Sequence, residues 1–140
     1  MPEGGDVVAG QGWAVGHLDA LGDGPGFRKV RRALGVTAFG VNALVLPPGY
    51  TPGRHLHDEQ EELYFVHSGT VEFELDGELH RLGAGGLARV DAATVRSLRN
   101  VSDTDEAVIL VTGGKDGYVG RDGRLPEGET RSGPGGPPAA

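Results

Sequence analysis

The sequence predicts an all-β domain, a sandwich or barrel of about eight to ten short strands. Three observations carry that prediction. Runs such as Val71-Glu72-Phe73-Glu74-Leu75 alternate apolar and polar residues with the two-residue period of a half-buried strand. Glycine is abundant, with 26 in a chain of 140, and glycine punctuates the turns between short strands. Helix-like spacing is confined to one short segment. The length and a hydrophobic content of 37% allow a single domain with a modest core.

Residues 1–12 are small, polar and glycine-rich, and read as a flexible N-terminus. Trp13, Val15 and His17 alternate with smaller residues, which predicts a strand along a sheet edge with His17 on the surface. Gly22-Asp23-Gly24-Pro25-Gly26 is a dense turn signal. Phe27, Val30 and Leu34 then fall at helical spacing. They suggest a short amphipathic helix with Arg28, Lys29, Arg31 and Arg32 on a solvated face. The alternatives are an extended segment, or an arginine that reaches over a pocket mouth and attracts an anion.

Residues 36–46 are apolar on both faces and read as a strand buried between two layers, with Asn42 either bonded to backbone or lining a cavity. Pro47-Pro48-Gly49 stops it. Val71–Leu75 is a half-buried strand, Asp76-Gly77 a type I′ hairpin turn, and Glu78–Leu82 the returning strand, with His80 and Leu82 on one face. Leu87–Val90, residues 95–98 and residues 107–112 supply further strands. Residues 113–120 pack through Tyr118 and Val119. From Arg121 the chain has almost no apolar content and reads as a disordered Gly/Pro-rich tail. The predicted organisation is therefore 1–12 flexible, 13–120 one β-barrel domain with its core at 36–112, and 121–140 tail.

The chemistry is concentrated between Gly49 and Gly69. On an extended strand His55 and His57 share a face with Leu56 between them, which puts two imidazoles on one wall. Asp58 to Glu61 makes a turn, and Glu62 opens Glu-Leu-Tyr-Phe-Val-His, an aromatic and β-branched strand. If the two strands lie side by side, two imidazoles and a carboxylate converge. Two histidines with one carboxylate suit Fe(II) and also accept Mn, Zn or Ni, leaving coordination positions open for a substrate. Tyr64 and Val66 share the face of Glu62, so Tyr64 either lines the pocket or fills the core; Glu61 and His67 point the other way.

The spacing Gly49, five residues, His55, one, His57, four, Glu62, six, Gly69 resembles the first conserved motif of the cupin superfamily in every fixed position. The second motif resembles residues 85–100 without gaps, with Gly85 and Asn100 matching. Three positions depart: Asp91 stands where the family usually has proline, Ala93 where it has glycine, and Arg96 where a histidine normally completes the metal site. The resemblance spans roughly residues 36–112. It implies a double-stranded β-helix, or jelly-roll barrel, in a small single-domain cupin of the conserved-barrel type. It also implies a divalent metal on His55, His57 and Glu62, and a homodimer, as in many relatives.

Arg96 admits three readings. A guanidinium offers only donors and cannot coordinate a cation. It could bind the carboxylate, phosphate or enolate of an anionic substrate beside a three-ligand metal; it could pair with Glu62 and replace the metal; or it could point outward from a shifted strand. His80 is a further candidate to replace the missing ligand. As an enzyme such a cupin would run oxygenation, isomerisation or lyase chemistry, with Tyr64 and Arg96 as the catalytic and substrate-binding groups. As a binding module it would hold or sense a small ligand without turnover.

Composition excludes other classes. With no cysteine there are no disulfides, zinc-thiolate sites or cysteine nucleophiles. A net charge of −7 opposes binding to nucleic acid and to anionic membranes. The first residues have neither a basic nor an apolar leader region, so the sequence-based expectation is a cytoplasmic protein.

Overall fold

The structure, a computed structural model, describes residues 6–129. It is an all-β jelly roll with two walls closing on one core. The first wall is antiparallel throughout, in the order β3 (Gly26–Arg28), β4 (Gly40–Leu46), β11 (Ala107–Gly114), β6 (Glu61–Ser68), β9 (Leu87–Val90). The second contains β10 (Arg96–Asn100), β7 (Val71–Leu75) and β8 (Glu78–Leu82), beside a pair formed by β12 (Gly123–Arg124) and β5 (Leu56–His57). A single bridge, His55 to Arg96, joins that pair to β10.

Alternation fixes which side chains meet. Along β6 the burial alternates strictly, with Glu62, Tyr64 and Val66 inward and Glu61, Phe65 and His67 outward. The core combines Leu44, Leu46, Tyr64, Val66, Val90, Ile109 and Val111 of the first wall with Val71, Phe73 and Leu98 of the second. Phe73 meets Tyr64 edge to face with ring centroids 5.5 Å apart. β4 is buried on both faces, as its composition predicts, because the helix α1 (Val30–Leu34) packs against it. Asn42 is buried and shares the parity of Leu44 and Leu46. Asp76 and Gly77 both adopt positive φ, 51° and 88°, as a type I′ turn requires.

Four expectations change at the ends of the chain. Val8–Gly10 pairs with Trp13–Val15 as the hairpin β1–β2, so part of the N-terminal stretch is extended, and Trp13 lies in this separate ribbon rather than on an edge of either wall. Of the segment 27–34, Phe27 and Arg28 belong to β3, and the helix is the five residues ended by Gly35 at φ 75°. Arg28 is buried and donates to the Gly24 carbonyl at 2.8 Å, and Arg31 lies 4.0 Å over the Tyr118 ring. Gly123 and Arg124, read as tail, form β12 against β5. Residues 1–5 and 130–140 lie outside the described residues.

Candidate metal centre

Each candidate residue is delivered by a different constraint. The backbone N–H of His55 donates to the Arg96 carbonyl, and that of Arg96 to the His55 carbonyl, both at 2.9 Å. The His57 N–H donates to the Ala92 carbonyl at 2.8 Å. Directly paired residues of an antiparallel bridge project to the same face, so His55 and Arg96 both enter the interior, and His57 follows two residues on. Glu62 enters from the opposite wall. The convergence is thus real, but β5 and β6 are not neighbours: β6 pairs with β11 and β9, and β5 with β12. The imidazoles and the carboxylate meet across the barrel interior.

His55, His57, Glu62 and Arg96 are each 0–1% exposed. One ligand atom from each of His55, His57 and Glu62 lies within 4.8 Å of the other two. Glu62 Oε1 is 3.2 Å from His57 Nε2, 3.9 Å from His55 Nε2 and 3.6 Å from Arg96 Nη1. The Tyr64 hydroxyl donates to the same oxygen at 2.6 Å. The two rings stand edge to face with centroids 5.2 Å apart.

Several of these buried polar atoms have no hydrogen-bond partner among the described residues: both ring nitrogens of His55, Nε2 of His57, Oε2 of Glu62, and Nε and Nη1 of Arg96. Buried polar groups without partners cost free energy and are scarce in folded proteins. Here they cluster and face one another. Two imidazole nitrogens and a carboxylate oxygen are a donor set that fits Fe, Mn, Ni or Zn.

The electrostatics follow from burial and charge. Burial opposes ionisation of Glu62, yet the nearby imidazoles of His55 and His57 and the hydrogen bond from Tyr64 outweigh it and bring the carboxyl down to about 2. Burial dominates at His55 and lowers it. At His57 burial also acts to lower the value, but Glu62 and Asp122 overcome it and the net shift is upward. Burial, followed by the Glu62 charge, raises Tyr64 well above its ordinary value. Tyr64 therefore stays protonated and donates a hydrogen bond to Glu62.

Arg96 points inward, which removes the outward reading. Its Nη2 donates to the Asp91 carbonyl, so the aspartate at the family's proline position contributes a backbone acceptor, while its side chain pairs with Arg89. His17 caps a short 3-10 turn, and His67 and His80 are exposed on the exterior, so none of them joins the triad.

Sequence reasoning missed two residues. Asp122 accepts from His57 Nδ1 at 2.8 Å and from Gln60 Nε2 at 2.5 Å through Oδ1, and from the Glu59 and Gln60 backbone N–H groups at 2.7 and 3.0 Å through Oδ2. Gln60 is fully buried. The Asp122 contact left no signal in the sequence, because Asp122 lies 65 positions from His57 in a segment with almost no apolar content.

A cupin-domain family model matches residues 43–113, half of the chain, and the chain belongs to the cupin family. An oxalate-binding protein of Thermotoga maritima is 30% identical over 66 residues, covering 47% of this chain and 54% of the relative. The chain thus spans about half the length of that curated relative. Among solved structures, a cupin protein of Bacteroides fragilis is 26% identical with a TM-score of 0.58, covering 66% of this chain and 77% of the other. A sugar phosphate isomerase from a cupin superfamily, of Silicibacter pomeroyi, is 30% identical with the same TM-score, covering 64% and 58%.

Proposed function

We propose that this cupin binds a small anionic molecule at a divalent metal held by His55, His57 and Glu62, with Arg96 as the anion clamp, and that it acts there as an oxygenase, isomerase or lyase. The observation that carries the reading is the cluster of buried lone-pair atoms without partners, His55 Nε2, His57 Nε2 and Glu62 Oε2, gathered from two walls. When bound, the metal supplies Lewis acidity and open coordination positions. Arg96 keeps Nη1 and Nε without hydrogen-bond partners, each able to donate to a substrate oxygen. Tyr64, held protonated, orients Glu62 through its hydroxyl. The relatives named for oxalate and for a sugar phosphate make those two anions the first probes.

A second reading rests on the 3.6 Å approach of Arg96 Nη1 to Glu62 Oε1. There the guanidinium takes the place of the ion, and the pocket binds or senses a ligand without metal.

Elemental analysis of protein purified without an affinity tag or chelator separates the two. Near-stoichiometric Fe, Mn, Ni or Zn, lost in His57→Ala, supports the metal site; a metal-free parent refutes it. Binding of oxalate and of a sugar phosphate, unchanged in Arg96→Gln, would remove the clamp.

The proposed homodimer has support on the outside of the first wall. Leu110, Phe65 and Leu87 are direct cross-strand partners on β11, β6 and β9, and Phe65 and Leu87 are exposed. A monomer in sedimentation at micromolar concentration would refute it.

A further inference from the structure

We propose that Asp122, the residue immediately before β12, is a positioning residue for the metal centre, fixing His57 with its proton on Nδ1 so that Nε2 is presented to the ion; the proposal rests on the metal reading above.

The geometry is specific. Asp122 Oδ1 lies 2.8 Å from His57 Nδ1, and four donors converge on its two oxygens. An ionised carboxylate only accepts, so the nitrogen facing it must carry a proton. In a neutral imidazole the other nitrogen then holds the lone pair, and His57 Nε2 is the atom that lies 3.2 Å from Glu62 Oε1. A hydrogen bond of this kind orients a ligating ring and raises its basicity. His55 contrasts with it, for neither of its ring nitrogens has a hydrogen-bond partner among the described residues. Asp122 thus selects the ligating atom of one imidazole, while its contacts with the backbone of Glu59 and Gln60 and the β12 pairing tie the C-terminal segment to the same loop.

Asp122→Asn tests the idea in a way that a structural role does not predict. The amide oxygen can keep the two backbone N–H donors of Glu59 and Gln60, which turns its NH2 towards His57 Nδ1. That NH2 donates, and so favours the tautomer with the proton on Nε2. Arg124→Ala is the control: it removes the 2.6 Å Arg124 to Asp58 ion pair of the same segment without touching His57.

In the metal-free parent, nitrogen-15 NMR at a pH where His57 is neutral should show the proton on Nδ1, and in Asp122→Asn a shift towards Nε2. Zn(II) affinity, measured by competition with a chromophoric chelator, should fall about 10- to 100-fold in Asp122→Asn and stay within about twofold in Arg124→Ala. A parent with the proton on Nε2, an unchanged tautomer and affinity in Asp122→Asn, or an equal loss in Arg124→Ala would each overturn the proposal. The tautomer of the parent needs neither a variant nor a bound ion, so it decides the matter even if Asp122→Asn fails to fold. Absence of Zn(II) binding in the parent would sink the metal reading instead.

Discussion

His55 and Arg96 share one antiparallel bridge, each donating its backbone N–H to the other's carbonyl at 2.9 Å, so an imidazole and a guanidinium are delivered side by side into the same buried space. The position that faces the triad is therefore set by backbone pairing, and the residue standing there is a cation. A fixed positive charge within a few ångströms of a divalent ion weakens binding unless an anion lies between them. Arg96→His removes that charge and adds a third imidazole. Its affinity for Zn(II) should rise at least about tenfold over the parent by chelator competition; equal affinities would mean that residue 96 does not face the ion.

Tyr64 bonds a charged acceptor in a fully buried setting. Hydrogen bonds to charged groups contribute about 1.5–3 kcal/mol, and their loss leaves the partner less satisfied. Tyr64→Phe should lower stability by about 2 kcal/mol in urea denaturation, with the slope unchanged. A loss under about 0.5 kcal/mol would show that Glu62 finds another donor.

The two glycines that bound the first motif answer to different physics. Both have positive φ, 74° at Gly49 and 84° at Gly69. A Cβ at Gly49 meets nothing within 4 Å, whereas at Gly69 it would sit 2.8 Å from Ala107 Cα and Cβ, in the buried start of β11. Gly49→Ala should cost about 1–2 kcal/mol, the strain of the left-handed region. Gly69→Ala should cost clearly more, read directly as a lower melting temperature. Equal costs for the two would leave the Ala107 contact without energetic meaning.

Acid should destabilise the metal-free fold in a defined window. Glu62 has an ordinary value of 4.5 and a folded value of about 2, so its contribution is present above 4.5 and is lost as pH falls towards 2. Asp122 is depressed in the same sense: against the penalty of burial, the bonds from Gln60, Glu59 and His57 hold its carboxyl ionised. The histidines act around 6.5 in opposite senses. His55, lowered, loses stability as pH falls, and His57, raised, loses it as pH rises. Urea midpoints between pH 5 and pH 2.5 should drop less in Glu62→Gln than in the parent. Parallel curves would show that the Glu62 carboxyl is not depressed in the fold.

Much of the centre was legible because its residues are local. His55, His57 and Glu62 lie within eight positions, and strand parity alone sends both histidines to one face and aligns Glu62 with Tyr64 and Val66. The side-by-side pairing expected of the two strands was wrong, because periodicity tells which way a side chain points but not which strand lies next to it. The tail was misread for a related reason. Residues 122–124 gain their order from a carboxylate satisfied by four donors and from pairing with β5, neither of which leaves a hydrophobic signal.

The sequence by itself determined the all-β class, the inward faces of the strands, the hairpin at Asp76-Gly77, and the identity of the three candidate ligands. Those are consequences of short-range geometry, the two-residue strand period and the φ preferences of turn residues. Only the tertiary structure decided that the ligands meet across the interior from two walls, that Arg96 points in beside them, and that Asp122 returns from the far end of the chain to hold His57. These are contacts between residues distant in sequence, fixed by how the walls close over one core, and local pattern carries no record of them.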